Sequence, residues 1–335
     1  MRWLARLFMG LTVLGAAAAV FVYAEYQRFS TTPLALPEAG FTLQVERGQT
    51  LRDVAQTLAV ANALGDPRYL VWFGRWRDQS QRIRAGEYRI AADSTPGALL
   101  DQLVAGAVVQ HSITFIEGWT FRQLRAALNA HEVLNHATTE LDDAAIMARL
   151  GRAGVHPEGR FLPDTYQFPR GESDLAVLER AATAMDQALA GTWATRETGL
   201  PLETADQALV LASIVEKETG VAAERAEIAG VFIRRLRRGM RLQTDPTVIY
   251  GLGETFDGNL RRRDLEADTP YNTYTRAGLP PTPIAMPGRA ALHAAVHPAA
   301  GTALYFVADG SGGHVFSDTL EDHNRAVARH QLGRP

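Results

Sequence analysis

Two glutamates near the end of an apolar segment are the strongest candidates for chemistry in this sequence. The segment starts at Thr204, where Thr-Ala-Asp-Gln is a capping-box start, and it is apolar on nearly every side, which predicts a buried helix. Glu216 and Glu218 end the helix, and Gly220 follows as the predicted stop. At about 100° per residue the two side chains point about 200° apart, so they do not form one paired-carboxylate site.

The two glutamates differ in what the helix places beside them. Glu218 shares a face with the bulkiest apolar residues of the helix, whereas Glu216 shares one with smaller side chains. The bulky residues are Leu211, Ile214 and Val215. A carboxyl backed by bulky apolar groups loses solvation of its charged form, so we predict a raised pKa and a general-acid role for Glu218, with Glu216 as the alternative. The bland alternative is that both are solvated at a fraying helix end, paired with Lys217 or Arg225.

Two irregular segments that follow this helix carry aromatic rings, amides and hydroxyls. One surrounds a proline turn near residue 246, and the other covers 268–283. The candidate substrate-binding residues in them are Gln243, Thr244, Asp245, Tyr250, Tyr271, Asn272 and Tyr274. A sugar has an apolar face and many hydroxyl edges, so this mixture suits a carbohydrate. Each segment alone is more typical of an ordinary proline-rich loop, but the position of both directly after the glutamate helix favours a cleft.

No metal or cofactor site is predicted. His293 and His297 have the i, i+4 spacing of metal ligands, but no glutamate lies between them and Pro298 follows at once. His314, in a glycine-rich turn, is predicted to be a packed histidine. The absence of cysteine excludes disulfides, thiol catalysis and thiolate zinc sites. The sequence also contains no P-loop, dinucleotide fingerprint or nucleophile elbow.

The composition is that of a globular protein of about two domains. The chain has 335 residues, of which 46% are hydrophobic and 21% charged. Its 34 basic and 37 acidic residues give a net charge of −3, which excludes nucleic-acid binding through bulk positive charge.

The N-terminus predicts a membrane anchor. Residues 7–24 are uncharged and would span about 27 Å as a helix, close to the ~30 Å hydrocarbon core of a bilayer. Arg2 and Arg6 precede them, so the positive-inside bias keeps a tail at 1–6 in the cytoplasm and exports the rest. The alternative is a cleaved signal peptide, although the run is long for one. Residues 25–40 are predicted to form a tether.

A small α+β unit is predicted at 41–105. Strands are expected at 41–45 and 86–90, and Thr50 and Thr95 would cap helices, with room for one further helix. The strand–turn–helix pattern of residues 45–52 recurs at 115–122, either as a duplicated module or as a common supersecondary shape. Residues 106–335 are the predicted catalytic region, with a structured loop at 158–168 folded onto the site. The predicted fold class is therefore α+β.

Several segments together resemble the YceG-like (MltG) family of endolytic murein transglycosylases. They are the N-terminal apolar segment, the loop at 158–168, LASIVEKETG at 211–220, GMRLQTDPTVIYG at 239–251, YNTY at 271–274, GLPP at 278–281 and YFVADGSGGHVF at 305–316. The resemblance covers essentially the whole chain and is loosest in the N-terminal third.

The resemblance implies a bacterial inner-membrane lyase whose body lies in the periplasm. Such enzymes cut the β-1,4 bond between N-acetylmuramic acid and N-acetylglucosamine within peptidoglycan strands and leave a 1,6-anhydro end, without a cofactor. It also implies a LysM-like module at 41–105 and a lysozyme-like catalytic region. The family's essential glutamate falls in EKET, and Glu218 followed by Thr219 fits the Glu-Ser/Thr pattern of related transglycosylases. Candidate partners are the glycan strands, the membrane and peptidoglycan synthases.

Two other functions stay open at the level of sequence. One is an inactive glycan-binding scaffold that regulates cell-wall synthases, which the intact EKET argues against. The other is a hydrolytic muramidase, for which Asp245 is the best second carboxylate, since ordinary glycosidases need two.

Overall fold

The structure, a computed structural model, describes residues 2–331 and contains both helices and strands, as the predicted α+β class requires. The elements are α1 (Arg2–Thr31), β1 (Phe41–Val45), α2 (Leu51–Val60), α3 (Pro67–Trp76), β2 (Gly86–Ile90), α4 (Pro96–Ala105), β3 (Gln110–Thr114), α5 (Phe121–Asn129), α6 (Asp143–Arg149), β4 (Thr165–Pro169), α7 (Asp174–Ala194), α8 (Ala205–Glu218), α9 (Arg225–Arg237), α10 (Asp245–Leu252), α11 (Arg262–Glu266), α12 (Arg289–Val296), β5 (Tyr305–Ala308), β6 (His314–Ser317) and α13 (Leu320–His330).

The chain divides into two units. The N-terminal unit runs to His111 and includes Phe168–Arg170, and the C-terminal unit comprises the other residues from Ser112 onward. The predicted tail at 1–6 and the predicted catalytic region at 106–335 each include positions outside the described residues, namely residue 1 and residues 332–335.

Helix α1 is long and apolar enough to cross a membrane over Arg6–Thr31, and none of its 18-residue apolar window is buried in the protein. The helix continues beyond the predicted span, into the segment predicted to be an irregular tether. There Tyr26 and Phe29 pack against the core of the N-terminal unit, and Leu34 is buried. The tether prediction missed this order because it rested on composition, whereas aromatic residues three apart on a helix find a packing surface.

The N-terminal unit has the elements that the sequence predicts. Strands β1 and β2 pair antiparallel with Phe41 opposite Ile90. Helix α2 begins after Thr50, as predicted, and buries one face, formed by Leu51, Val54, Ala55 and Leu58. Helix α3 fills the space left for a further helix, and the Thr95 hydroxyl accepts the Ala98 N–H at 3.2 Å to cap α4.

The repeated sequence pattern produces a repeated local structure. In both copies a strand leads into a turn with a left-handed glycine, Gly48 at φ +89° and Gly118 at φ +78°. A threonine then starts the helix, with a capping box formed by Asp53 in the first copy and Gln123 in the second. The two copies therefore share one local shape.

The core of the C-terminal unit is built around α8, which packs against α7, α9 and α12. The segment predicted to be a loop at 158–168 is only partly irregular, because its end forms strand β4, which pairs with β3. Glycine at 159 is required in this segment. Its φ is +78°, and a Cβ there would lie 2.5 Å from the Cβ of Pro283.

Candidate active site

Glu216 and Glu218 both lie in the last turn of α8. The Thr204 hydroxyl accepts the Gln207 N–H at 3.2 Å and starts the helix, as the capping-box pattern predicts. Residues 208–215 are all buried, so the predicted burial of the helix is confirmed. The last turn of α8, where Glu216 and Glu218 lie, is unfavourable for a negative charge, since the carbonyl end of a helix carries a partial negative charge.

Glu218 is the last residue of α8 and keeps partial contact with solvent. Burial raises the pKa of its carboxyl to about 7, which the Thr244 hydrogen bond opposes and the nearby negative charge of Asp245 reinforces. The raised pKa is the one that the sequence predicts. A carboxyl with this pKa is partly protonated near neutral pH and is able to both donate and accept a proton.

Thr244 donates its hydroxyl hydrogen to Oε1 of Glu218. Thr244 is buried at the start of α10, and its hydroxyl does not cap that helix. Its main chain is fixed on both sides, because its N–H donates to Oγ1 of Thr273 at 3.1 Å and its carbonyl accepts from Thr247 at 2.8 Å. The threonine cluster therefore holds the hydroxyl on Glu218.

The charge of Asp245 acts on Glu218, and the charge of Glu218 acts on Tyr274. The Tyr274 hydroxyl donates to Oδ1 of Asp245 at 2.6 Å. Burial and this bond raise the pKa of Tyr274, so its hydroxyl stays protonated. The structure thus brings together Glu218, Thr244, Asp245 and Tyr274, four of the residues that the sequence singles out.

Gln243 and Arg235 form the next layer. Gln243 has φ +53°, an uncommon conformation for a residue with a side chain. Its Oε1 accepts from Nη1 of Arg235 at 3.2 Å. Arg235 is buried and donates to the carbonyls of Leu304 at 2.7 Å and Leu242 at 2.8 Å. Burial lowers the pKa of Arg235, and its positive charge lowers the pKa of Glu218.

Sequence reasoning missed Glu224, which links the EKET segment to the glycine-rich turn. Its Oε2 accepts from the Thr219 hydroxyl at 3.3 Å and lies 2.8 Å from Nδ1 of His314. Its Oε1 accepts the main-chain N–H of His314 at 2.8 Å. Burial raises the pKa of Glu224, but the bonds from His314 outweigh it and the net shift is downward. His314 is a packed turn residue, as predicted, and its charge also lowers the pKa of Glu218.

Glu216 has different partners. Its side chain is 6% exposed, its Oε2 accepts the Gly288 N–H at 2.9 Å, and its Oε1 lies 4.0 Å from the guanidinium of Arg225. Burial raises its pKa, and the Gly288 bond opposes that shift. Glu216 is therefore buried and held in place, so it is not solvated at a fraying end, although it does face Arg225. Lys217 is exposed and donates to the Gly118 carbonyl at 3.3 Å.

Tyr250 and Tyr271 form a second cluster around another buried acid, Glu158. Their rings meet edge to face with centroids 4.9 Å apart. The Tyr271 hydroxyl lies 2.8 Å from Oγ1 of Thr282, and Tyr250 hydrogen-bonds Glu158. Glu158 is 3% exposed and accepts the Phe121 N–H at 3.0 Å. Burial raises its pKa to about 7 against these two bonds. Sequence reasoning singled out its loop but not this carboxyl.

Asn272 is fully buried, with its amide bonded to the main chain. Its Nδ2 donates to the carbonyls of Asp264, Leu265 and Ala267, and its Oδ1 accepts the Tyr274 N–H at 2.8 Å. This arrangement holds the end of α11 and the position of Tyr274. The nitrogen and the oxygen of the Asn272 side-chain amide are thus both bonded to the main chain, which does not support the predicted contact with substrate.

His293 and His297 stack with ring centroids 4.3 Å apart. Nε2 of His297 lies 3.4 Å from the Thr195 hydroxyl. Within residues 2–331, no three histidine or carboxylate side chains are grouped so that they could hold a metal ion.

Comparison with known proteins identifies the family of this chain. The sequence model of the YceG-like family matches residues 43–329. A Bacillus subtilis (strain 168) protein named endolytic murein transglycosylase is 30% identical over 305 residues, covering 86% of this chain and 84% of that protein. A Streptococcus pneumoniae protein of the same name is 26% identical, covering 96% of this chain and 64% of that protein. The crystal structure of a yceG-like protein from Listeria monocytogenes superposes with a TM-score of 0.55 at 27% identity, covering 86% of this chain and 99% of that one.

Proposed function

The chain belongs to the YceG-like family, and on that premise we propose that it is an endolytic murein transglycosylase with Glu218 as its catalytic acid and base. The substrate is the peptidoglycan glycan strand. The bond cut is the β-1,4 bond between N-acetylmuramic acid and N-acetylglucosamine, and the product ends in 1,6-anhydro-N-acetylmuramic acid. The reaction is that of a lyase, because no water is consumed.

One observation carries the assignment of Glu218. Its carboxyl combines a pKa raised to about 7 with a hydrogen bond from the Thr244 hydroxyl, on a residue that is partly exposed. A general acid near its pKa is able to give up a proton and take one back at the operating pH. Glu158 also has a raised pKa, but it is 3% exposed and accepts the Phe121 N–H. Glu216 has a raised pKa too, but its carboxyl accepts the Gly288 N–H and faces Arg225.

The proposed reaction has two proton transfers at one carboxyl. Glu218 first protonates the glycosidic oxygen as the bond from C1 of N-acetylmuramic acid to that oxygen breaks. The N-acetylglucosamine hydroxyl leaves, and the acetamido oxygen of the muramic residue stabilises the cation at C1. The carboxylate of Glu218 then removes the proton from the C6 hydroxyl, whose oxygen closes on C1. Glu218 ends protonated, as it began.

The neighbours of Glu218 have supporting roles in this proposal. Thr244 fixes the carboxyl, and Asp245 with Tyr274 provides an exposed acceptor and a protonated hydroxyl beside it. Gln243 is exposed and completes this polar surface. Tyr250 and Tyr271 support it from the cluster around Glu158, whereas Asn272 holds the main chain of the segment.

We assign the N-terminal unit to membrane attachment and glycan binding. Helix α1 is the single-pass anchor in the bacterial inner membrane, with the body in the periplasm, and 41–105 is the LysM-like module. A groove of about 1060 Å³ in this unit supports glycan binding, because it is lined by polar groups including Gln49, Arg52 and Arg82. Nascent strands are the proposed substrate because they are made at this membrane, and the synthases that make them are the proposed partners.

The test is mass spectrometry of peptidoglycan fragments released by the full chain, compared with Glu218→Gln and Glu216→Gln. We expect anhydro ends from the wild type and Glu216→Gln, and none from Glu218→Gln. Reducing ends from the wild type would instead indicate a hydrolytic muramidase with Asp245 as the second carboxylate. A folded wild type that binds strands without cutting them would indicate an inactive scaffold.

A further inference from the structure

We propose that the exposed aromatic face of α3 lies in the headgroup layer of the same bilayer that α1 spans. This face, called the aromatic face below, consists of Tyr69, Trp72 and Trp76. The inference rests on the proposed membrane anchor and concerns the N-terminal unit alone. It assigns this surface a lipid partner, which the family comparison does not provide.

The sequence of α3 produces an amphipathic helix. Asp66 accepts the Arg68 N–H at 2.9 Å and caps it, and Pro67 occupies the first turn. Leu70 and Phe73 are buried in the unit. The other side exposes Tyr69 by 52%, Trp72 by 57% and Trp76 by 63%. Because these positions are three and four residues apart, the rings share one face of the helix.

The aromatic face is continuous with the membrane helix. The ring of Tyr26 on α1 lies 5.0 Å from Trp76 and 5.3 Å from Phe73, between centroids. Phe29, one turn further, lies 5.8 Å from Tyr69. Two of the three rings of the face therefore touch α1 directly. An aromatic cluster joins the membrane helix to α3 at the point where the apolar run of α1 ends.

The depth of this contact matches the interfacial layer of a membrane. At about 1.5 Å per residue, Tyr26 and Phe29 lie about 3 Å and about 8 Å beyond Ala24, the last residue of the uncharged run. The polar layer on each side of the hydrocarbon core is about 5 to 8 Å thick. Tryptophan and tyrosine concentrate in this layer because each has an apolar ring and a polar hydrogen-bonding group.

The charges around the face complement anionic phospholipids. Arg68 and Arg75 are exposed on α3, although Arg68 also pairs with Asp66 at 2.7 Å and Arg75 also lines the groove near Gln49 and Arg82. An arginine beside interfacial aromatic rings is able to lay its stem on apolar surface and direct its guanidinium to phosphate. Arg77 is turned away, since it pairs with Asp101 at 2.8 Å. Anionic lipid headgroups are therefore the occupant that this surface fits.

Site-directed spin labelling of the full chain tests the proposal. The protein has no cysteine, so each introduced cysteine carries the only label. We would label Trp72→Cys and Trp76→Cys in vesicles of equal parts phosphatidylcholine and phosphatidylglycerol. Collision rates with oxygen and with a water-soluble nickel complex then report depth. In the vesicles, we expect the nickel collision rate at both positions to be severalfold lower than that of a label exposed to water. Collisions with oxygen should be retained.

Two further positions serve as controls. Thr42→Cys is exposed on β1, outside the aromatic face, and should stay fully accessible to nickel. Val13→Cys lies in the apolar run and should be the deepest label. Water-like labels at 72 and 76 with a deep label at 13 would overturn the inference and leave the anchor standing. A water-like label at 13 would overturn both. Labels at 72 and 76 shielded from oxygen as well as nickel would indicate a protein contact and also overturn it.

Discussion

The surroundings of Glu218 and Glu158 differ although burial raises both pKa values to about 7. Glu158 is 3% exposed and is fixed by the Phe121 N–H and the Tyr250 hydroxyl. Glu218 keeps solvent contact and has the hydroxyl of Thr244, with Asp245 nearby. A raised pKa therefore does not by itself identify a catalytic acid, and the two residues differ in their exposure and in their hydrogen-bond donors.

The charge balance around the two carboxyls also differs. Around Glu218, the positive charges of Arg235 and His314 oppose the effect of burial, and Asp245 adds to it. Around Glu158, hydrogen bonds from the main chain and from Tyr250 oppose the effect of burial, and the negative charge of Asp143 adds to it. Glu218 thus lies among side chains of both charges. Glu158 belongs to the packing between its loop and α10.

The largest expected effect is the loss of activity in Glu218→Gln. The amide cannot transfer protons, so we expect anhydro-product formation to fall by about 10³-fold, in the range of lost general acid–base catalysis. Product release from peptidoglycan by the full chain, quantified by mass spectrometry, measures it. Glu227→Gln, an exposed carboxylate on α9, is the matched control and should keep full activity. Comparable losses in Glu158→Gln would erase the distinction between the two acids.

Glu158→Gln should instead change how stability depends on pH. Folding raises the pKa of this carboxyl from 4.5 to about 7, so the folded state binds a proton that the unfolded state has lost. The wild type therefore loses stability as pH rises through this range, by about 3 kcal/mol for one such group. Denaturant unfolding measured at about pH 5 and at about pH 8 should show that the variant loses less stability between these two pH values than the wild type does. An equal loss in both proteins would refute this.

Glu216→Ala should cost stability rather than catalysis. It leaves the Gly288 N–H without its acceptor and removes the charge that faces Arg225, which together should lower the free energy of unfolding by about 2 kcal/mol. Glu216→Gln keeps an acceptor oxygen and should lose less. Activity per folded molecule should stay within about tenfold of the wild type. A stable but inactive Glu216→Gln would move the catalytic acid to this position.

Thr244→Val should have the smallest effect, about a tenfold loss of rate, because the carboxyl of Glu218 loses its positioning hydroxyl. The hydrogen bond lowers the pKa of Glu218, so its removal should raise that pKa. The acid then stays protonated to higher pH, and the alkaline limb of the pH–rate profile should move to higher pH. Thr244→Ser keeps the hydroxyl and is the control. An unmoved profile in Thr244→Val would exclude this contact from the mechanism.

Much of the molecule is determined by local sequence. The caps at Thr50, Thr95 and Thr204, and the buried face of α2, follow from residue types at fixed spacing. The apolar length of α1 and the burial of α8 follow in the same way. These features depend on interactions within a few residues, so periodicity and capping rules find them. The raised pKa of Glu218 agrees with the prediction, but the bulky helix face does not explain it, since burial also raises the pKa of Glu216 on the face with smaller residues.

Only the tertiary structure decided the partners of the polar residues. Asn272 and Thr244 are both polar residues in proline-rich segments, yet Asn272 bonds three main-chain carbonyls and Thr244 bonds Glu218. Glu158 and Glu224 gave no local signal, since their partners lie on α5 and α10 in one case and in β6 in the other. Hydrogen bonds and desolvation depend on groups that are distant along the chain, and residue spacing carries no information about them.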